Sequence, residues 1–197
     1  MDGFNLFHAL DELGQPHLKW LNLWSLSESL LRPGDNLTQV NYYTAFATWL
    51  PEAYATHRSY VKALQAVGVN TVFGKFKDKH VKCRECHREF TTKEEKKTDV
   101  NIALGLVVDG LHNNYDRAIL ISADTDLVAA VMEARRLSPH KEVFIAVPQN
   151  RLKMSHEFGK RYAITPARLG KNLLASQYTD AKGNLIVKRP AKYKPPV

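Results

Sequence analysis

The apolar positions of this chain follow two rhythms that alternate along its length. Ala53, Val61, Leu64 and Val67 recur at helical spacing and predict a helix over 52–67, with Gly68 at its stop. On either side, "LTQVNYYTAF" and "NTVFGKFK" are rich in β-branched and aromatic residues and read as strands, the first over 37–45. Upstream, "LKWLNLWSLSESLL" reads as a helix or helical turn, closed by the turn signal Arg32-Pro33-Gly34-Asp35. Thr92 and Glu95 have the spacing of a capping box. They predict a helix from there to about residue 111, with Val100, Ala103, Leu104, Val107 and Leu111 on its apolar side. "RAILISA" and "EVFIAVP" are unbroken apolar runs of strand length. A helix at "TDLVAAVMEARRL" follows the first, and one at "TPARLGKNLLASQY", opened by Thr165-Pro166, follows the second. Buried strands alternating with helices predict a mainly parallel sheet covered on both faces, an α/β sandwich. Ligands of such sheets sit beyond the carboxyl ends of the strands.

Two stretches break the alternation. Residues 78–92 are polar and basic and carry the only two cysteines, Cys83 and Cys86, as a loop or insertion. Residues 179–197 read as a basic, Pro-containing tail, either a solubilising end or a nucleic-acid contact, which leaves a folded domain over 1–178. A chain of 197 residues buries a core without disulfide staples. Its 28 Lys and Arg against 20 Asp and Glu, a formal charge of +8, favour an acidic partner such as nucleic acid. No stretch approaches the about 18 consecutive apolar residues of a membrane span. The N-terminus lacks the basic-then-apolar order of a signal peptide, so a cytoplasmic protein is expected. No Gly-rich phosphate-binding pattern points to an NTPase or a dinucleotide enzyme.

"AILISADTDLVAAV" places Asp124 and Asp126 where a buried strand ends and a helix begins. One acid there is an ordinary helix cap. Two neighbouring carboxylates, with Ser122 beside them, repel each other unless a proton or a cation relieves them. Mg²⁺ or Mn²⁺ is the usual partner of sparse carboxylate sites. Asp99, next to apolar Val100, lies beside the buried face of its helix, and Asp2 stands in "MDGFN", where Gly3 suggests a tight turn.

In order and spacing, "DGFNLFHAL", "EEKKTDVNIALGLVVDG" and "AILISADTDLVAAV" resemble the three acidic motifs of the NYN domain family, a branch of the PIN-like nucleases. The resemblance implies a PIN-like three-layer α/β/α sandwich with an acidic pocket that binds Mg²⁺ or Mn²⁺ and hydrolyses RNA phosphodiester bonds. It puts Asp2, Asp99, Asp124 and Asp126 in the catalytic and metal-binding roles, with Asp2 and Asp124 as direct ligands and the other two as ligands or orienters of water. Asn5, Ser122 and Thr125 become polar supports. Lys96, Lys97, Arg135 and Arg136 become candidate contacts to the RNA backbone. A catalytically weak RNA-binding or regulatory module on the same fold is the alternative, and a homo-oligomer is left open. A nucleotide-sugar transferase reading of Asp124-Thr125-Asp126 leaves Asp2 and Asp99 unexplained.

In the family the first acid follows a hydrophobic central strand, whereas here only Met1 precedes Asp2. The expectation is a chain that begins late, because a missing central strand exposes apolar faces and unpaired backbone on both neighbours. Cys83 and Cys86, flanked by His80 and His87, are half of a closed Zn²⁺ site. They read either as a zinc clip or as an exposed reduced thiol pair.

Overall fold

The computed structural model describes residues 1–196. Its elements run α1 (Gly3–Glu12), α2 (Leu23–Glu28), β1 (Asn41–Thr44), α3 (Pro51–Ala66), β2 (Asn70–Phe73), β3 (Lys75–Lys82) and β4 (Glu89–Lys96). There follow α4 (Thr98–Leu111), β5 (Arg117–Ile121), α5 (Val128–Leu137), β6 (Glu142–Pro148), β7 (Arg161–Ile164), α6 (Pro166–Lys171), β8 (Gln177–Thr179) and β9 (Leu185–Lys188). The fold is mixed α/β with parallel and antiparallel sheets. No helix among the described residues is long and apolar enough to cross a membrane.

Two parallel blocks make the centre, β1 with β2 and β5 with β6 and β7. Met1 and Asp2 join them. The Met1 ammonium donates to the Asn41 carbonyl at 2.7 Å, and the Tyr43 N–H donates to the Met1 carbonyl at 3.0 Å. On the other side the Asp2 N–H donates to the Ile121 carbonyl at 3.1 Å. The spatial order is therefore β2, β1, the Met1–Asp2 rung, β5, β6, β7. Short of that rung, a cleft of about 580 Å³ separates residues 36–41 from 117–120. Met1 and Asp2 thus occupy the place between β1 and β5 where the sequence reading expects a central strand.

Side chains alternate across the parallel strands, as the pleat requires. Tyr42, Ile121 and Ala146 face one apolar cluster with Leu6, Leu10, Trp20 and Leu64. Tyr43, Leu120 and Ile145 face a second with Ile102, Leu127 and Val131.

Several elements differ from the sequence reading. The strand expected over 37–45 is paired only over Asn41–Thr44. Thr92 and Glu95 lie inside β4, and α4 starts at Thr98. The Glu95 carboxylate does serve that start, by accepting from the Thr98 N–H at 3.3 Å and from the Thr98 hydroxyl. On α4 the buried positions are Thr98, Ile102 and Gly110, whereas Val100, Leu104 and Leu111 are 55–60% exposed. Residues 78–92 form most of a regular antiparallel hairpin, β3 with β4, in place of a loop. The last predicted helix stops at Lys171, where the Asn172 backbone leaves the helical region. The segment read as a tail is folded through Tyr193, because Val187 and Tyr193 are buried in the first apolar cluster. Gly3 does not make a turn. It opens α1, and a Cβ there would lie 2.6 Å from the Tyr43 carbonyl oxygen and 2.8 Å from the Tyr42 ring, so only glycine lets the helix start against β1.

Candidate metal centre

Asp2 leaves the rung between β1 and β5 and at once caps α1. Its Oδ1 accepts from the Asn5 N–H at 3.0 Å and its Oδ2 from the Ser122 hydroxyl at 2.8 Å. It is buried, 3% exposed. Ser122 also accepts from the Asp124 N–H at 3.0 Å, so one hydroxyl ties the first acid to the third. Asp124 lies three residues beyond the end of β5 and caps the short helical turn Thr125–Leu127, accepting from the Asp126 N–H at 3.0 Å. The Asn5 side-chain carbonyl accepts from the Ala123 N–H at 2.9 Å and fixes the strand end against α1. Asp99 enters from the first turn of α4.

One carboxylate oxygen each from Asp2, Asp99 and Asp124 lies within 4.8 Å of the other two. Burial pushes the Asp99 carboxyl up to about 6, aided by the negative charges of Asp124, Asp2, Glu95 and Asp126. Burial also raises Asp2, against the opposing effect of its bonds from Asn5 and Ser122. Crowded carboxylates that resist joint ionisation are relieved by a cation, and an all-oxygen donor set suits a hard divalent ion. The residues present fit such an ion.

Asp126 is exposed and outside the group of three, though near enough to raise Asp99. Asn5 and Ser122 sit as supports. Thr125 opens the turn beside Asp124 without bonding either carboxylate. Lys96 is paired with Glu94 at 2.7 Å, Arg136 with Glu133, and Arg135 donates to the Val143 carbonyl at 2.7 Å. Lys97, at the start of α4, makes no ion pair among the described residues. Cys83 and Cys86 sit at the far end of the β3–β4 hairpin, apart from the acidic group. Glu95 was assigned a capping role in the sequence but not a place beside the acids. Its spacing to Thr92 matched a capping box, and that match concealed its position four residues before Asp99.

The NYN domain profile matches residues 1–160, which span the hairpin and all the acids of the centre. The chain belongs to the NYN domain family. NYN domains are nuclease-type and act on nucleic acids, and the three converging aspartates accord with that class. Among curated proteins, the chain is 31% identical over 148 residues to the 6-hydroxy-3-succinoylpyridine 3-monooxygenase HspA of Pseudomonas putida (strain DSM 28022 / S16). The match covers 74% of this chain and 45% of that relative, so the chain spans under half of its length. Among solved structures, a protein of unknown function from Vibrio parahaemolyticus RIMD 2210633 aligns with a TM-score of 0.47 at 16% identity, covering 73% of this chain and 77% of that one.

Proposed function

We propose that this NYN chain is a PIN-like, Mg²⁺- or Mn²⁺-dependent endoribonuclease. The observation that carries the reading is the convergence of Asp2, Asp99 and Asp124 beyond the end of β5, in a family that acts on nucleic acids. When bound, a divalent ion supplies positive charge and Lewis acidity toward a phosphodiester. Asp2, Asp99 and Asp124 hold it, and Asp126 stands at the rim to orient water. Ser122 and Asn5 fix the directions of Asp2 and Asp124, so little reorganisation remains when substrate arrives. The Asp99 carboxyl, held near 6 without an ion, must give up its proton to bind one, so ion binding strengthens as pH rises through that range. Lys97 is the nearest uncommitted cation in sequence for the RNA backbone.

The test is cleavage of a labelled single-stranded RNA with Mn²⁺ or Mg²⁺, beside EDTA and Asp124→Asn controls. Metal-dependent cutting that the substitution abolishes is expected. Equal cutting by Asp124→Asn would sink the mechanism, and RNA binding with no cutting in any metal would favour the regulatory module.

A second reading has one observation in its favour. A cavity of about 530 Å³ lies between α1, β1 and α3, lined by Phe4, Tyr42, Tyr60 and His57 among others. HspA is named for a pyridine substrate, and a flat heteroaromatic ring suits such an apolar pocket. Under this reading a hydroxypyridine binds saturably by titration calorimetry. Binding without any oxidised product, in the presence of a nicotinamide reductant and oxygen, would leave the nuclease reading alone.

A further inference from the structure

The β3–β4 hairpin pairs eight residues with eight, from Lys75↔Lys96 to Lys82↔Glu89, and joins no other sheet. An isolated two-stranded ribbon is marginal in water. Its base is anchored, because the Phe76 ring packs edge-on against Phe4 and Trp49 at 5.4 and 4.6 Å. Its far end has no such support, and Phe90, opposite Val81, is 52% exposed.

At that end the chain turns through Cys83–Arg88. The Cys83 N–H donates to the Arg88 carbonyl at 2.9 Å, and the His87 N–H donates to the Cys83 carbonyl at 3.0 Å. His87 takes a left-handed backbone at φ 55°, which is uncommon for a non-glycine residue. Two cysteines three residues apart on one such turn make a two-pronged metal clip. Closed zinc sites need four ligands. Among the described residues no third His, Cys, Asp or Glu joins the pair closely enough to share an ion, and the His80 ring is turned to Thr91 at 3.2 Å. The chain has no other cysteine.

We propose that Cys83 and Cys86 form half of a tetrahedral Zn²⁺ site, completed by the same pair from a second copy of this chain. Two-fold symmetry supplies identical halves, so one clip per copy closes the site. Charge complementarity favours the arrangement. Between Lys75 and Lys96 each copy carries eight Lys and Arg against five Asp and Glu. A Zn²⁺ held by four thiolates has a net charge of about −2, which draws two basic hairpins together. The rung of half-buried Val81 and exposed Phe90 gives the paired ends an apolar contact. In binding, four S–H bonds give way to four Zn–S bonds, the four protons pass to buffer, and no redox partner is involved.

The test uses the full chain carrying Asp124→Asn, which weakens the acidic centre as a competing zinc binder, reduced, stripped of metal and titrated with zinc sulfate. The expected result is one zinc per two chains and a two-fold rise in mass by light scattering, reversed by EDTA. Co²⁺ in place of zinc gives the absorption of a tetrahedral thiolate site. Adding Cys86→Ser abolishes both the tight binding and the mass change, while circular dichroism keeps the helical signal of the body. One zinc per monomeric chain, no retained zinc, or a dimer indifferent to Cys86→Ser would each overturn the proposal.

Discussion

Ser122 shows how much one buried hydroxyl does at this centre. It donates to Asp2 and accepts from the Asp124 N–H, so Ser122→Ala strands a carboxylate oxygen and a backbone donor together. Such losses cost about 1–3 kcal/mol each. Removing a support of this kind also weakens metal affinity by roughly 10–100-fold. Urea unfolding and Mn²⁺ titration calorimetry check the two effects, and a variant with unchanged Mn²⁺ affinity would free Ser122 of its role. Asp99 carries a pH signature. Its carboxyl rises from 3.8 in the unfolded chain to about 6, so between those values the native state binds more protons. Stability from this group is complete below about pH 3.8 and is lost as pH climbs through about 6. His57 works in the opposite direction, because burial lowers it from 6.5 to about 4. The Asp99 effect is therefore read as wild type minus Asp99→Asn. That difference should fall with rising pH across 4–6 without metal, and Mn²⁺ should restore stability on the alkaline side, since ions and protons compete for the same oxygens.

At the level of elements, the close start of α1 against β1 is the most exacting contact around the centre. Gly3→Ala puts a methyl within 2.6 Å of a backbone oxygen that cannot rotate away, so α1 must shift. Overpacking of this kind costs about 1–3 kcal/mol. Because Asp2 caps the same helix, Mn²⁺ affinity should fall with stability, and thermal melts with and without Mn²⁺ measure both. The sequence made the strands ending near Asp124 and at Pro148 legible, to within two residues for "RAILISA", because buried parallel strands are unbroken apolar runs with abrupt polar ends. It was less informative about α4. Of its predicted apolar side, Val100, Leu104 and Leu111 are exposed, whereas Val107 packs with Ile102 and Leu106 in the second apolar cluster. Periodicity reports that a helix has an apolar stripe, not which stripe the core takes. The hairpin was legible only at its base, where "NTVFGKFK" reads as strand through Lys77, and the rest was hidden for a related reason. β3 and β4 pair only with each other and bury neither face, so neither the apolar alternation nor the unbroken run that marks a strand was required of them.

Across the whole molecule the two parallel blocks are joined at the rung of Met1 and Asp2, which places a titratable amine where a sheet ordinarily has an amide. The Met1 ammonium fills a ladder position to the Asn41 carbonyl, and burial lowers it from 8.0 to about 5 even with the Asp2 carboxylate beside it. Between those values the unfolded chain binds more protons than the folded one. This group's contribution is therefore greatest above pH 8 and is lost as pH falls toward 5. Acetylating Met1 keeps an N–H for Asn41 and removes the charge, and the neighbouring cleft of about 580 Å³ has room for the added methyl and carbonyl. The acetylated chain should melt higher than the unmodified chain at pH 5–7, with the gap closing toward pH 8.5. The same change should leave Mn²⁺ affinity within a small factor, because Asp2 keeps its bonds from Asn5 and Ser122. Melting curves that stay parallel across the range would mean that the two blocks are not joined through a buried amine. A large loss of Mn²⁺ affinity on acetylation would mean that the ammonium, and not the Asn5 and Ser122 donors, sets the position of Asp2.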